Sequence, residues 1–311
     1  MQRSLASGGR ACAAREERWE FEVVAGDEPF AHADYLSMMI RNAREIEQTV
    51  LGAGLTATQF RILYRLTTHH GAMRVGALAD ALDLGASAVC GALAQLDAAG
   101  AVTRVDDTAD KRGVHAIISP YGNVLEERVF AALRPVLAGI YAEAPVDLRS
   151  YIAACTLKVA RSNALFGDDL TRFSDVESAL CDEILLTSAL ANRVAHDEGL
   201  SLTEYRILLE LLPRTEGARP NEIARRLGLR RNGVAAAQSE LQRRGLVMRH
   251  RDNLDRRAAI IELTSDGYAV LRHAALAMSA ALDYEIMPGI TENDLAKHRR
   301  LASSVQEARL G

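Results

Sequence analysis

The chain has 311 residues, 49% of them hydrophobic and 25% charged, which is the balance of a soluble globular protein long enough for two cores. A net charge of −4 excludes a uniformly basic surface, and four scattered cysteines without paired spacing exclude a disulfide scaffold or a zinc site. No apolar run reaches the roughly 18 residues of a membrane span, and residues 1–18 contain no apolar signal core, so no membrane association and a cytoplasmic location are expected.

In chain order, residues 1–28 read as a loose tail, with a short strand or helix around Trp19 to Val24. A long helix is predicted from Asp34 to Leu51, its apolar stripe carried by Ile40, Ala43, Ile46 and Val50. A compact run follows: a helix over Val75 to Leu82, a turn at Asp83-Leu84-Gly85, a helix over Ala86 to Leu96, then Gly100. Strands are predicted near Val102 to Val105 and Val114 to Ile118, then helices from Gly122 to Tyr141 and Leu148 to Phe166. Gly167-Asp168-Asp169 interrupts the apolar period and reads as the joint between units 29–166 and 167–311.

Beyond the joint the order recurs. A helix from Val176 to His196, striped by Ile184, Leu186 and Leu190, precedes a segment that aligns with the first unit without a gap, from Leu55 against Leu200 to Gly122 against Gly267. About twenty of some seventy positions are identical, and they fall on apolar helix positions and turn glycines. In the second copy, Pro220 to Leu227 starts a helix with proline in its first turn, Gly228-Leu229-Arg230 turns, and a helix spans Arg231 to Gln242. Two β-prone stretches, Leu246 to Arg251 and Ala258 to Leu263, close the unit, and helices from Gly267 to Tyr284 and Glu292 to Ala308 follow. Helix, tight turn, helix and hairpin make a winged helix-turn-helix. The expected fold is therefore mostly α with small β-hairpin wings: two winged helix-turn-helix units joined by a helical region.

At the hairpins the chain resembles the MarR family of bacterial regulators. The second unit has Asp255-Arg256-Arg257 and then Leu263-Thr264-Ser265-Asp266-Gly267; the first has Asp110-Lys111-Arg112 and then Ile118-Ser119-Pro120-Tyr121-Gly122, which lacks the Leu-Thr pair. The resemblance implies wing-tip arginines, Arg112 and Arg257, braced by Asp110 and Asp255 and directed to the minor groove. It also implies a pairing of two such units, here within one chain, as a monomer with pseudo-twofold symmetry on double-stranded DNA bearing an imperfect palindromic operator; further dimerisation stays open. A small aromatic or lipophilic effector is implied in many relatives, and Met38, Met39, Phe60 and Tyr64 are candidates to line its crevice, although core packing accounts for the same residues. Relatives that sense peroxide place a reactive thiol loosely where Cys181 stands, but its neighbours Asp182 and Glu183 would raise its pKa, and a structural thiol is the better reading.

The units differ in charge. The second holds ten arginines between Arg225 and Arg257, and Arg230, Arg231, Arg251, Arg256 and Arg257 are expected at phosphates, with Asn232 and Gln238 at base edges. In the first, the second helix offers only Ser87, Cys90 and Gln95 as polar groups, so Ser87, Lys111 and Arg112 are its DNA candidates and the second unit is expected to dominate. Cys90 and Cys155 read as core, Cys12 as tail, and adjacent His69 and His70 as a surface helix end, with no metal site. No Ser-His-Asp ordering or phosphate loop suggests an enzyme, and no cofactor is expected. The rival reading is a protein-interaction module on a degenerate winged-helix pair.

Overall fold

A computed structural model of the chain describes residues 28–69, 71–106, 113–142, 146, 149, 153–157, 176–214, 216–251, 259–288, 291, 293–294, 296–297 and 300. The tail with Trp19 to Val24 and Cys12, the joint at 167–169, His70, and both wing tips with Asp110, Lys111, Arg112, Asp255, Arg256 and Arg257 lie outside the described residues. So do most of the helices expected from Leu148 and from Glu292.

After a 3-10 turn at Glu28–Phe30, the first unit runs α1 (Ala33–Gly52), α2 (Ala57–His69), β1 (Met73–Arg74), α3 (Val75–Leu82), α4 (Ala86–Ala98), β2 (Val102–Asp106), β3 (Val114–Ile118) and α5 (Pro120–Ala142). The second runs α6 (Val176–Asp197), α7 (Leu202–Leu211), α8 (Pro220–Arg226), α9 (Arg231–Arg243), β4 (Val247–Arg251), β5 (Ala259–Leu263) and α10 (Ser265–Ala281), which ends in a π turn at Leu282–Ile286. Displaced by 145 positions, α4 falls on α9, β2 on β4 and β3 on β5 without a residue of slippage. Both hairpins are antiparallel, with Val102 opposite Ile118 and Val247 opposite Leu263. Strand β1 adds a third strand beside β3, and the second unit keeps its trace as a lone bridge between Ala218 and Ile261.

Local chemistry explains the repetition. Thr56 with Gln59 and Ser201 with Glu204 form reciprocal capping boxes at the starts of α2 and α7. Gly100 and Gly245 both turn the chain at φ 73°, a conformation in which a side chain is strained. The Ser119 hydroxyl donates to the Gly100 carbonyl at 2.7 Å and accepts the Gly122 N–H at 3.0 Å; Thr264 makes the same pair of bonds with Gly245 and Gly267 at 2.8 and 3.0 Å. The missing Leu-Thr of the first unit is thus a change of side chain with the cap retained. A Cβ on Gly122 would stand 2.1 Å from the Ala101 carbonyl oxygen, and one on Gly267 would stand 2.0 Å from that of Leu246. Only glycine allows each closing helix to press on the strand before its hairpin.

Between the units, α1 and α5 pack on α6 and the 3-10 turn packs on α10, while within the units α1 packs on α5 and α6 on α10. The stripes Ile40, Ala43, Ile46 and Val50, and Ile184, Leu186 and Leu190, are all buried in one continuous core that runs through both units. Polar groups cross the seam inside it. Tyr35 donates to Glu183 at 2.8 Å, Tyr64 to the Ser178 carbonyl at 3.0 Å, and Ser279 to the Pro29 carbonyl at 3.2 Å. Met39, Phe60 and Tyr64 are part of this core, with Tyr64 stacked on Phe60 and on Phe130 at 5.7 Å each, while Met38 is half-buried against it. Their candidacy as effector contacts therefore rests on residues that pack as core. Among the described residues no single helix is long and apolar enough to cross a membrane.

Candidate nucleic-acid interface

Helix α9 sits on its unit through Val234, Gln238 and Leu241, spaced to share one face, and all three are buried. This corrects the expectation for Gln238. It occupies the position that Leu93 holds in α4 and is only 7% exposed, so its side chain packs on the unit instead of standing on the outward face. The outward residues are Arg231, Asn232, Ala235, Ala236, Ser239 and Gln242, with exposed Arg230 as N-cap. Two arginines and an asparagine thus open the helix at the end where its free N–H groups and dipole already favour an anion. On the hairpin, Arg249 and Arg251 of β4 are exposed, and neither they nor Arg230 and Arg231 form an ion pair with a described residue.

Not every arginine of this unit is available. Arg226 and Arg214 are tied to Glu210 and Glu222 at 2.9–3.5 Å, Arg243 is paired with Glu240 at 2.5 Å, and Arg244 donates to the Gly199 carbonyl. Arg206 was not anticipated as a structural group. It is buried and donates to the Leu227 carbonyl at 2.8 Å, supporting the end of α8, and Arg61 makes the matching bond to the Leu82 carbonyl in the first unit. Burial lowers both guanidiniums to about 10. The one sequence sign of this brace was an arginine in the identical Arg-Ile-Leu runs at 61–63 and 206–208, where an apolar helix face has no use for a free charge.

In the first unit, α4 is anchored by Val89, Ala92, Leu93 and Leu96. It turns outward Ala86, Ser87, Ala88, Cys90, Gly91, Ala94 and Gln95. Cys90 is exposed, which corrects its assignment to the core: small residues cover both faces of α4, so its sequence hardly distinguishes them. Cys155 is buried. Cys181 is buried too, and burial, then Asp182 and Glu126, push its thiol well above the usual value. Two acids of this unit are paired, Asp97 with Arg104 and Asp83 with Arg193. His69 is exposed at the end of α2.

A helix-turn-helix with a hairpin behind it, repeated once and in the second unit carrying exposed cations at the start of its second helix, defines the class: a tandem winged-helix fold with the elements of a DNA-binding regulator. The profile of the MarR family matches at two places in tandem, residues 53–113 and 198–258. Among solved structures, a MarR-family transcriptional regulator from Rhodococcus sp. RHA1 is 27% identical, with a TM-score of 0.34, over 38% of this chain and 81% of its own. CouR from Rhodococcus jostii RHA1, bound to p-coumaroyl-CoA, is 28% identical, with a TM-score of 0.32 over 38% and 81%. BldR from Sulfolobus solfataricus is 26% identical, with a TM-score of 0.32 over 36% and 78%. No curated protein matches the chain significantly.

Proposed function

We propose that the chain is a transcriptional repressor that acts as a single-chain pseudo-dimer on an imperfect palindrome, the second unit reading the stronger half-site. The observation that carries this reading is the exposed triplet Arg230, Arg231 and Asn232 at the start of α9, against Gly85, Ala86 and Ser87 at the same place in α4. Arginines there neutralise phosphates, and the Asn232 amide pairs with an adenine edge. Arg251, Arg256 and Arg257 extend the contact from the hairpin, with Asp255 bracing the tip. Ser87, Lys111, Arg112 and Asp110 give the first unit a weaker grip. Release by a small aromatic or lipophilic effector would act through the packing around Met38, Met39, Phe60 and Tyr64.

The test is enrichment from a randomised duplex library with the full chain, followed by binding at several salt concentrations. A selected site with one dominant half is expected. Changing Arg231 and Arg257 together to alanine should abolish detectable binding, while Ser87→Ala should cost less than threefold. A second reading, a protein-interaction module, draws on Val105 and Ile117, exposed on the hairpin of the first unit, with Tyr121 and Val124 exposed on α5. Failure to enrich any duplex at low salt would favour it over DNA binding.

A further inference from the structure

Each helix-turn-helix is held at its turn by an arginine from the other unit. In the second unit, Arg44 of α1 donates to the Gly228 carbonyl at 2.7 Å, and Arg41 of α1 makes a longer bond of 3.5 Å to the Arg226 carbonyl. Between them Arg206 takes the Leu227 carbonyl. Three successive carbonyls, from the last residue of α8 through the turn after it, thus accept from three guanidiniums. Two of those guanidiniums come from the far unit. Like charges gathered at one turn repel: after burial, Arg44 and Arg41 are what most lower Arg206, and Glu210 is the one acid that opposes them. Packing alone would be served better by a neutral side chain, so the cations are placed where their geometry matters. Two residues past Gly228 stands Arg230, the N-cap of α9.

The first unit receives a different device at the same turn. Asp83 replaces the glycine of 228 and adopts φ 48°, a left-handed conformation tolerated by aspartate. Its carboxylate accepts from Arg193 of α6 at 2.9 and 3.0 Å, and Arg193 also donates to Glu285, in the turn after α10, at 2.6 Å. In the repeat, Arg41 and Arg44 correspond to Leu186 and Ala189, and Arg193 corresponds to Gln48. The clamps therefore differ between the copies, each reaching the same target from its own side of the seam.

We propose that Arg41 and Arg44 of the first unit are positioning residues for DNA recognition by the second, clamping the Arg226–Gly228 turn so that α9 is held at a fixed distance from α4. The proposal rests on the DNA-binding reading for its function but not for its geometry. Arginine is suited to the task because one guanidinium reaches a carbonyl while its planar fork stays oriented.

The experiment uses the full chain. Spin labels on native Cys90 and on Ser239→Cys, in a Cys12→Ser background, report the distance between the outward faces of α4 and α9; Cys155 and Cys181 are buried. The double change Arg41→Met with Arg44→Met should broaden the distance distribution without loss of helix content, and Arg44→Lys, which keeps one donor for Gly228, should restore a narrow one. On a duplex selected by the parent, the double variant should bind at least tenfold more weakly with an unchanged salt slope, and should lose the parent's penalty for one base pair inserted between the half-sites. An unchanged distance distribution overturns the clamp. A salt slope reduced by about one per arginine overturns it too, since that marks direct phosphate contact. If the parent enriches no duplex, the DNA reading fails, and the label distances alone decide whether Arg41 and Arg44 position α9.

Discussion

Among single residues, Glu126 of α5 is the most informative. It is buried, and its pKa rises to about 7, first because burial penalises the carboxylate and then because Glu127 repels it, against a weaker pull from Arg134. A carboxyl group raised in the folded state holds its proton more tightly there than in the unfolded chain. Its contribution is complete below the unfolded value near 4.5 and is lost as pH climbs through about 7. Glu126→Gln should therefore stabilise the protein at pH 8 by on the order of 1–3 kcal/mol and make little difference at pH 4.5, as read from denaturant melts at both pH values. A variant equally or less stable at pH 8 would show that a nearby cation offsets the burial. Asp182 is a poorer probe, although burial raises it to about 6, because Arg65 and Arg61 both lean on its charge and its removal would weaken the support of two buried guanidiniums.

At the scale of elements, the helix-turn-helix and hairpins were legible nearly to the residue, because apolar helix positions and the glycines at 100 and 245 and at 122 and 267 recur in both copies and each copy constrains the other. Which way the helices face was less legible. In α4, alanines, Cys90 and Gly91 occupy the outward side, so periodicity is weak and Cys90 passed for core; in α9, Gln238 looked like a base reader because polarity alone suggests the surface. Contacts across the seam, Arg41, Arg44 and Arg193, had no sequence sign, since they are absent from the repeat and depend on how the units pack. The orientation of α9 yields a direct test. Gln238→Leu places the residue of the first copy into the same buried slot and removes a polar group from it, so stability should hold or rise by about 1 kcal/mol and affinity for a selected duplex should stay within about twofold. Asn232→Ala, on the outward face, should cost roughly 1–3 kcal/mol at a single base pair of that site. Loss of binding in Gln238→Leu would mean that the amide leaves its buried position to meet DNA.

For the molecule as a whole, the continuous core decides how independent the two units are. Neither unit closes a core alone: α1 needs α6, the 3-10 turn needs α10, and Tyr35 and Tyr64 find their acceptors on the opposite unit. His32 likewise meets Asp283 across the seam at 2.9 Å. Separating the halves would expose the apolar stripes of both long helices and strand the buried Glu183, whose carboxyl group is already raised by burial despite the help of Tyr35 and Thr156. Covalent continuity at 167–169 should then matter less than the packing. With a specific protease site placed there, the cut chain is expected to elute at the size of the intact one and to unfold in one calorimetric transition, whereas either half expressed alone should be insoluble or self-associated. Two resolved transitions, or halves that part after cleavage, would mean that each winged unit is stable alone and that the fusion serves only to keep them close. In that case the cross-unit arginines would have no rigid frame to act from, and a fixed spacing between α4 and α9 would need DNA itself to impose it.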